Sequence, residues 1–259
     1  MNYLLVYFCV IIYNLREFST QAAYNAAESS LILPNVSLIT ENNKVEYKPY
    51  VPDPSGGHPY VEIGGLKWAT MNVGAESITD AGLFFQWGDT QGYTASQVGS
   101  GEGKKYFGWS DYKYSNNGGS SASDMTKYNS TDGKTVLDTS DDAVQAAWGG
   151  GWRMPTTEEF AALGAATTSA WTQVNGVYGL QCTDKTDSSK VLFFPAAGNC
   201  YDGSVYYVGS YGYYWSCSLY TSLMARAYLL SFGSSGVLWQ DIDFRRNGRC
   251  VRGVLAENS

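Results

Sequence analysis

Trp148-Gly149-Gly150-Gly151-Trp152-Arg153-Met154-Pro155, followed by Thr156-Thr157-Glu158-Glu159, decides how this chain is read. Three glycines between two indoles let the backbone turn sharply and pass close to other main chain, because no Cβ is there to clash. Pro155 stands where a helix is about to begin, a position at which its missing N–H costs nothing. Thr156 with Glu159 three residues later is a capping-box pattern ahead of Phe160 and Leu163. The stretch predicts a packed, structural turn that delivers the chain into a short helix.

Outward from it, 138–148 predicts a second helix, with Asp141 or Asp142 near its start, where carboxylates suit the helix dipole. After Trp171 the chain predicts short strands at 172–174, 178–183, 191–194, 213–218, 227–232, 237–239 and 250–254, separated by glycine turns. Before 138, strands are predicted at 60–63 and 67–73, hinged at Gly64-Gly65, and at 83–88. Residues 92–132 lack periodicity and read as long loops tied down by Tyr106, Phe107, Trp109, Tyr112 and Tyr114. Helices in the middle with strands at both ends argue an α+β fold over a parallel α/β sheet.

At the other end, the apolar run 3–13 is too short to span a bilayer as a helix. No basic residue precedes it and no clean small-x-small site follows, so it is a poor export signal and fits a buried strand. Residues 19–30 predict a short helix, and 31–39 with 45–47 predict two strands around a polar turn. Proline and glycine crowd 49–59. The division expected is 1–50 as an attachment or homo-oligomerisation segment, 51–59 as linker and 60–259 as the main domain.

The chain has 259 residues, with 21 Tyr, 8 Trp and 29 Gly against only 16% charged residues. That balance favours irregular β structure with ordered loops, and tyrosine supplies rigid contact area suited to a binding surface. A net charge of −7 argues against nucleic acid as the partner. Arg245, Arg246, Arg249 and Arg252 are the local exception and read as solvated or salt-bridged. Cys9, Cys182, Cys200, Cys217 and Cys250 show no C-x-x-C spacing, so free thiols are expected; Cys182 and Cys200 fall in or beside neighbouring strands.

His58 is the one histidine, and it lies in the linker. Its isolation weakens nucleophile schemes and multi-histidine metal sites alike. Gly149–Gly151 lacks the Lys-Ser/Thr of a phosphate loop. Asp138, Asp141 and Asp142 could ligate calcium through oxygen, but their position favours helix capping. Glu158 and Glu159 are adjacent and point to different helix faces, a poor acid–base pair. The residues therefore point to no catalytic group, no cofactor and no metal.

The order of pieces in 60–254 resembles a known family. Lys67-Trp68-Ala69-Thr70-Met71-Asn72-Val73-Gly74-Ala75 looks like its opening strand and Phe85-Gln86-Trp87-Gly88-Asp89 its second. Asp141-Asp142-Ala143 through Trp148-Gly149-Gly150-Gly151-Trp152-Arg153-Met154-Pro155-Thr156 is similar to its central signature. Phe194-Pro195-Ala196-Ala197-Gly198, Tyr213-Tyr214-Trp215-Ser216 and Val251-Arg252 complete the series. The family is the Fibrobacter succinogenes major paralogous domain of Bacteroidetes and their phages. The resemblance implies a C-type-lectin-like fold of the formylglycine-generating-enzyme type, with little regular secondary structure and termini close together. It does not imply the enzyme: Cys217 and Cys250 stand where the family pattern usually shows serine. The calcium–sugar motifs of true C-type lectins are absent.

Proteins with this fold include the variable targets of diversity-generating retroelements. Departures from the family text fall at Leu223, Met224, Arg226, Ser231, Leu238, Gln240, Asp241, Ile242, Asp243, Phe244 and Arg246, the candidate ligand-binding residues; Gly253 stands where proline is common. Ala227, Tyr228, Phe232, Val237, Trp239, Gly248 and Val251 stay in pattern. Strand alternation places Val237 and Trp239 inward with Leu238 and Gln240 outward, like interchangeable contacts on a rigid support. Neighbouring DNA is then expected to hold a reverse transcriptase and a near-copy of the 3′ end differing mainly at adenines. Residues 21–27, 33–37 and 45–47 resemble short leaders of phage structural proteins from gut Bacteroidetes.

The function expected is non-enzymatic recognition of a cell-surface protein or glycan, as a phage or prophage receptor-binding component on a virion, without membrane insertion. The alternative is a secreted or surface-anchored adhesin of the same fold. A formylglycine-generating-type oxidase ranks below both.

Overall fold

The computed structural model describes residues 36–41, 44–49 and 56–255. The strand expected at 3–13 and the helix expected at 19–30 lie outside them. The chain divides into two compact units, Met1–Asp53 and Pro54–Ser259. In the first, β1 (Val36–Glu41) and β2 (Lys44–Pro49) form an antiparallel hairpin in which Glu41 and Lys44 are the last register partners before the turn.

The second unit is mixed α+β and strand-dominated, built of several small sheets. β3 (Tyr60–Ile63) and β4 (Leu66–Asn72) are hinged at Gly64-Gly65, whose φ values are +63° and +77°. They continue into β14 (Arg252–Leu255) and the short β5 (Trp152–Arg153), in the order β3-β4-β14-β5. The two ends of the unit thus meet in one sheet, separated by β4.

The central turn forms as the sequence predicts. Gly149, Gly150 and Gly151 all have positive φ, at +62°, +58° and +89°, where any side chain would be strained. The turn swings Trp152 and Met154 into the interior, where both are buried. Thr156 and Glu159 close a complete capping box at the start of α2 (Thr157–Ala166), and Arg153 grips Glu159 with both terminal nitrogens. The helix expected at 138–148 is shorter. A 3₁₀ turn at Thr139–Asp141 precedes α1 (Ala143–Trp148), because Asp142 caps Val144 and Gln145 and cannot itself be helical. The second carboxylate oxygen of Asp142 accepts from the Met154 amide, which ties α1 to the turn.

β6 (Thr167–Val174), β7 (Val177–Asp184) and β8 (Val191–Pro195) form a meander. β9 (Asn199–Tyr201) and β10 (Ser204–Tyr206) form a hairpin around Asp202-Gly203, both at positive φ. The segment 83–88 is no strand: Phe84 and Phe85 make isolated bridges to Tyr93 and Arg249. In the loops after it Phe107 and Tyr112 are buried, whereas Tyr106 stays exposed.

The third sheet carries the core on both faces. Its order is β11-β12-β13, with β11 Tyr211–Leu219, β12 Arg226–Gly233 and β13 Gly236–Phe244. Tyr214, Leu230 and Phe232 face one cluster, with Trp68, Phe160 and Phe194. Trp215, Leu229 and Ala227 face the other, with Trp87, Trp152 and Val144. Alternation along β11 and β12 thus makes this sheet a wall between two cores. The register slips twice: at 216–218 in β11, and between Leu238 and Asp241 in β13. The first bulge frees the Ser216 carbonyl to accept from the Trp87 indole at 2.8 Å and the Cys217 amide to donate to the Pro155 carbonyl at 2.8 Å.

β13 ends the sheet. The amides of Ile242 and Phe244 donate to the carboxylates of the residues just before them, Asp241 and Asp243, at 2.8 and 2.7 Å. Both amides are therefore turned away from β12 and capped by the strand's own side chains.

Candidate ligand-binding cleft

Of the four C-terminal arginines, expected to be solvated or salt-bridged, Arg246 and Arg249 are salt-bridged, to Asp202 and Asp243, but three are shut away from solvent. Arg245, Arg249 and Arg252 are 0%, 1% and 0% exposed. Each lies against aromatic rings. Arg245 is 4.8 Å from the Trp87 ring, Arg249 is 4.6 Å from Tyr213, and Arg252 is 4.7 Å from Phe194. Aromatic faces and directed acceptors can hold a guanidinium that water no longer reaches. Arg252 donates to Asn72 Oδ1 and to the carbonyls of Ala69 and Phe193. Arg245 donates to the Tyr112 hydroxyl and to three carbonyls, those of Tyr128, Met224 and Lys127. Arg249 pairs with Asp243, while its Nε and Nη1 have no hydrogen-bond partner among the described residues. Burial lowers its pKa to about 10, so it remains charged at neutral pH.

Beside the Tyr213 ring on which Arg249 packs, the hairpin end of the third sheet opens into a cleft of about 480 Å³. Tyr211 and Tyr213 from β11, Ser231 from β12, and Leu238 and Asp241 from β13 line it. Register explains the grouping, since Tyr213 lies opposite Ser231 and Ser231 opposite Leu238. Ser231 donates to Asp241 Oδ2 at 2.7 Å and fixes that carboxylate. Gly233, opposite Tyr211, has no room for a methyl group: a Cβ there would come within 2.8 Å of the Tyr211 ring.

A line of tyrosines leads away from the cleft. Centroid spacings are 6.2 Å from Tyr213 to Tyr211, 5.7 Å to Tyr207, 6.1 Å to Tyr206 and 4.2 Å to Tyr201. Tyr207 is 51% exposed and its φ is +62°. A bulky residue held in the left-handed region with its ring in solvent is uncommon. Val208 and Leu238, at 66% and 60%, are also exposed. Sequence reasoning missed these tyrosines as site residues, although the close spacing of Tyr201, Tyr206, Tyr207, Tyr211 and Tyr213 was a usable signal.

Of the candidate residues, Ser231, Leu238 and Asp241 meet in the cleft. Gln240 is exposed, as alternation predicts, but does not line the cleft. The bulge places two residues, Trp239 and Gln240, opposite Leu230, and both turn toward α2. Trp239 packs where a Cβ on Gly164 would sit, and the Gln240 amide reaches Thr157 Oγ1 at 3.4 Å. Asp243 is committed to Arg249, Asn247 and the Phe244 amide. Ile242, half-buried, is turned by alternation to the other face from Asp241 and Asp243. Arg226 lies over the Phe244 ring at the far end of the ladder. Leu223 is exposed in the β11–β12 connection, whereas Met224 packs on the second core cluster. Arg246 is drawn off to Asp202 and the Phe107 carbonyl.

The other chemistry-bearing groups are engaged in structure. Asp141 takes Lys113, Lys127 and the Tyr128 hydroxyl, and these partners hold its pKa well below the usual carboxylate range despite burial. Asp138 pairs with Lys127 and Lys134. No metal-binding group of His, Cys, Asp and Glu occurs among the described residues. Cys182, Cys200, Cys217 and Cys250 are buried free thiols. Burial pushes Cys182, Cys217 and Cys250 up to about 12. No helix among the described residues is long and apolar enough to cross a membrane. Comparison with known protein families, characterised proteins and solved structures finds no match to this chain.

Proposed function

We propose that this protein is a non-enzymatic recognition protein whose main domain, a C-type-lectin-like fold of the formylglycine-generating-enzyme type, binds a cell-surface ligand through the β11–β13 cleft and its tyrosine margin. One observation carries the reading. Exposed aromatic and aliphatic side chains gather with a fixed carboxylate at the open end of a sheet whose remainder is core on both faces. Leu238 in particular, 60% exposed, can be exchanged at little cost to the fold. The virion is the proposed setting, with residues 1–50 as the attachment segment and retroelement variation acting on the cleft residues. The four thiols described, buried and held protonated, are poor nucleophiles, which disfavours oxidase chemistry of the formylglycine-generating type.

The fluorescently labelled full chain is expected to bind cells of some members of a panel of gut Bacteroidetes. Leu238→Asp is expected to abolish that binding with stability changed by less than about 0.5 kcal/mol in urea denaturation. A large stability loss, or undiminished binding, would place the contact face elsewhere.

A further inference from the structure

We infer that the cleft takes a neutral sugar ring, and that the tyrosine line beyond it takes the rest of a neutral oligosaccharide. The inference rests on the recognition role proposed above and names the ligand class for that same cleft. The first argument is shape. The half-exposed rings of Tyr207 and Tyr211 offer broad apolar faces with polar edges, the complement of a pyranose with one C–H face and equatorial hydroxyls. The cleft volume of about 480 Å³ lies within the range of small-molecule sites, so one or two rings fit.

Hydrogen bonding gives the second argument. Asp241 is held in place by the Ser231 hydroxyl and the Ile242 amide. A carboxylate oxygen accepts more than one hydrogen bond, so both oxygens keep capacity for sugar hydroxyls. A neutral polyol supplies donors for Asp241 and acceptors for the tyrosine hydroxyls.

Charge excludes the competing ligand classes. With Asp243 neutralised by Arg249, Asp241 leaves the cleft a single negative charge, and this and a net charge of −7 oppose an anionic sugar. A cationic ligand would need free aromatic faces, and one face of Tyr213 is already taken by the Arg249 guanidinium, 4.6 Å from its centroid. Tyr211 and Tyr213 are near-parallel, inclined by only 28° with centroids 6.2 Å apart, and do not make the box of crossed rings that a quaternary ammonium prefers.

The test is an NMR titration of the isotope-labelled full chain. Neutral probes are methyl glycosides of glucose, galactose, mannose and N-acetylglucosamine, with the corresponding di- and trisaccharides. Sialyllactose is the anionic probe and choline the cationic one. Saturable shifts with at least one neutral series are expected, tighter for the oligosaccharide than for its monosaccharide. Tyr211→Ala is expected to weaken that binding roughly tenfold, as is Leu238→Asp, while Tyr178→Ala on β7 leaves it unchanged. No shift across the neutral series, or tighter binding of sialyllactose or choline, overturns the inference. Treating target cells separates it from the reading beneath it. Binding lost after periodate oxidation of the cells supports a sugar. Binding lost only after protease treatment overturns the sugar and leaves recognition standing, and a chain that binds no cell at all removes both.

Discussion

A buried arginine is expensive unless its donors are met, because the charge gives up its hydration on folding. Arg252 meets that condition with three named acceptors and an aromatic face. Arg252→Met fills the space but strands Asn72 Oδ1 and two carbonyls in the interior. A loss of about 3–5 kcal/mol is expected in urea denaturation at neutral pH. Arg252→Lys is expected to recover little, since one ammonium cannot reach a planar fork of acceptors. None of this was legible from the sequence, where a run of arginines reads as surface. The partners lie far away in the chain, at Ala69, Asn72 and Phe193. Leu238 was legible for the opposite reason: its exposure follows from alternation along a strand that the hydrophobic pattern already marks, whereas Ser231, which is buried, and Asp241 were marked only as departures from the family text.

Strands and caps were readable wherever the period was regular, and bulges broke the reading where it was not. The capping box at Thr156 and the three-glycine turn form as local chemistry dictates. The bulge between Leu238 and Asp241 shifts the phase of β13 by one residue and puts Asp241, which plain alternation would turn inward with Val237 and Trp239, in the cleft with Leu238; nothing local in Leu-Trp-Gln-Asp announces it. The β9–β10 hairpin was missed even though Asp202-Gly203 is a strong two-residue turn signal. β14 shows how an element can depend on one missing side chain. A Cβ at Gly253 would lie 2.2 Å from the Trp148 ring and 2.9 Å from Val144. Gly253→Ala is expected to cost about 1–3 kcal/mol by overpacking, and Trp148→Phe in the same chain to recover part of it. Additive losses in a double-mutant cycle would show that the two positions do not touch.

For the whole molecule, the acidic groups that staple loops to core set the acid limit of stability. Asp138, Asp141 and Glu159 all have pKa values lowered in the folded state: Asp138 by bonds from Lys127 and Lys134, Asp141 and Glu159 by partners that outweigh burial. A carboxylate lowered on folding contributes its stability above its unfolded pKa of about 4 and loses it as pH falls toward the folded value. Urea midpoints are therefore expected to hold from pH 7 to about 5 and then fall steeply toward pH 2. Asp141→Asn should start lower and fall less; an unchanged acid slope would show that the lysine cluster around Asp141 carries no coupling.

Crowding poses a separate problem for any protein with an open sheet edge, because bare strand margins zip to one another. Here the outermost ribbon of the third sheet answers its own free amides at Ile242 and Phe244 with the preceding carboxylates, so a neighbour's backbone would have to displace an anion to attach. Dense arrays of this protein should stay as separate particles, leaving each cleft free for whatever it meets.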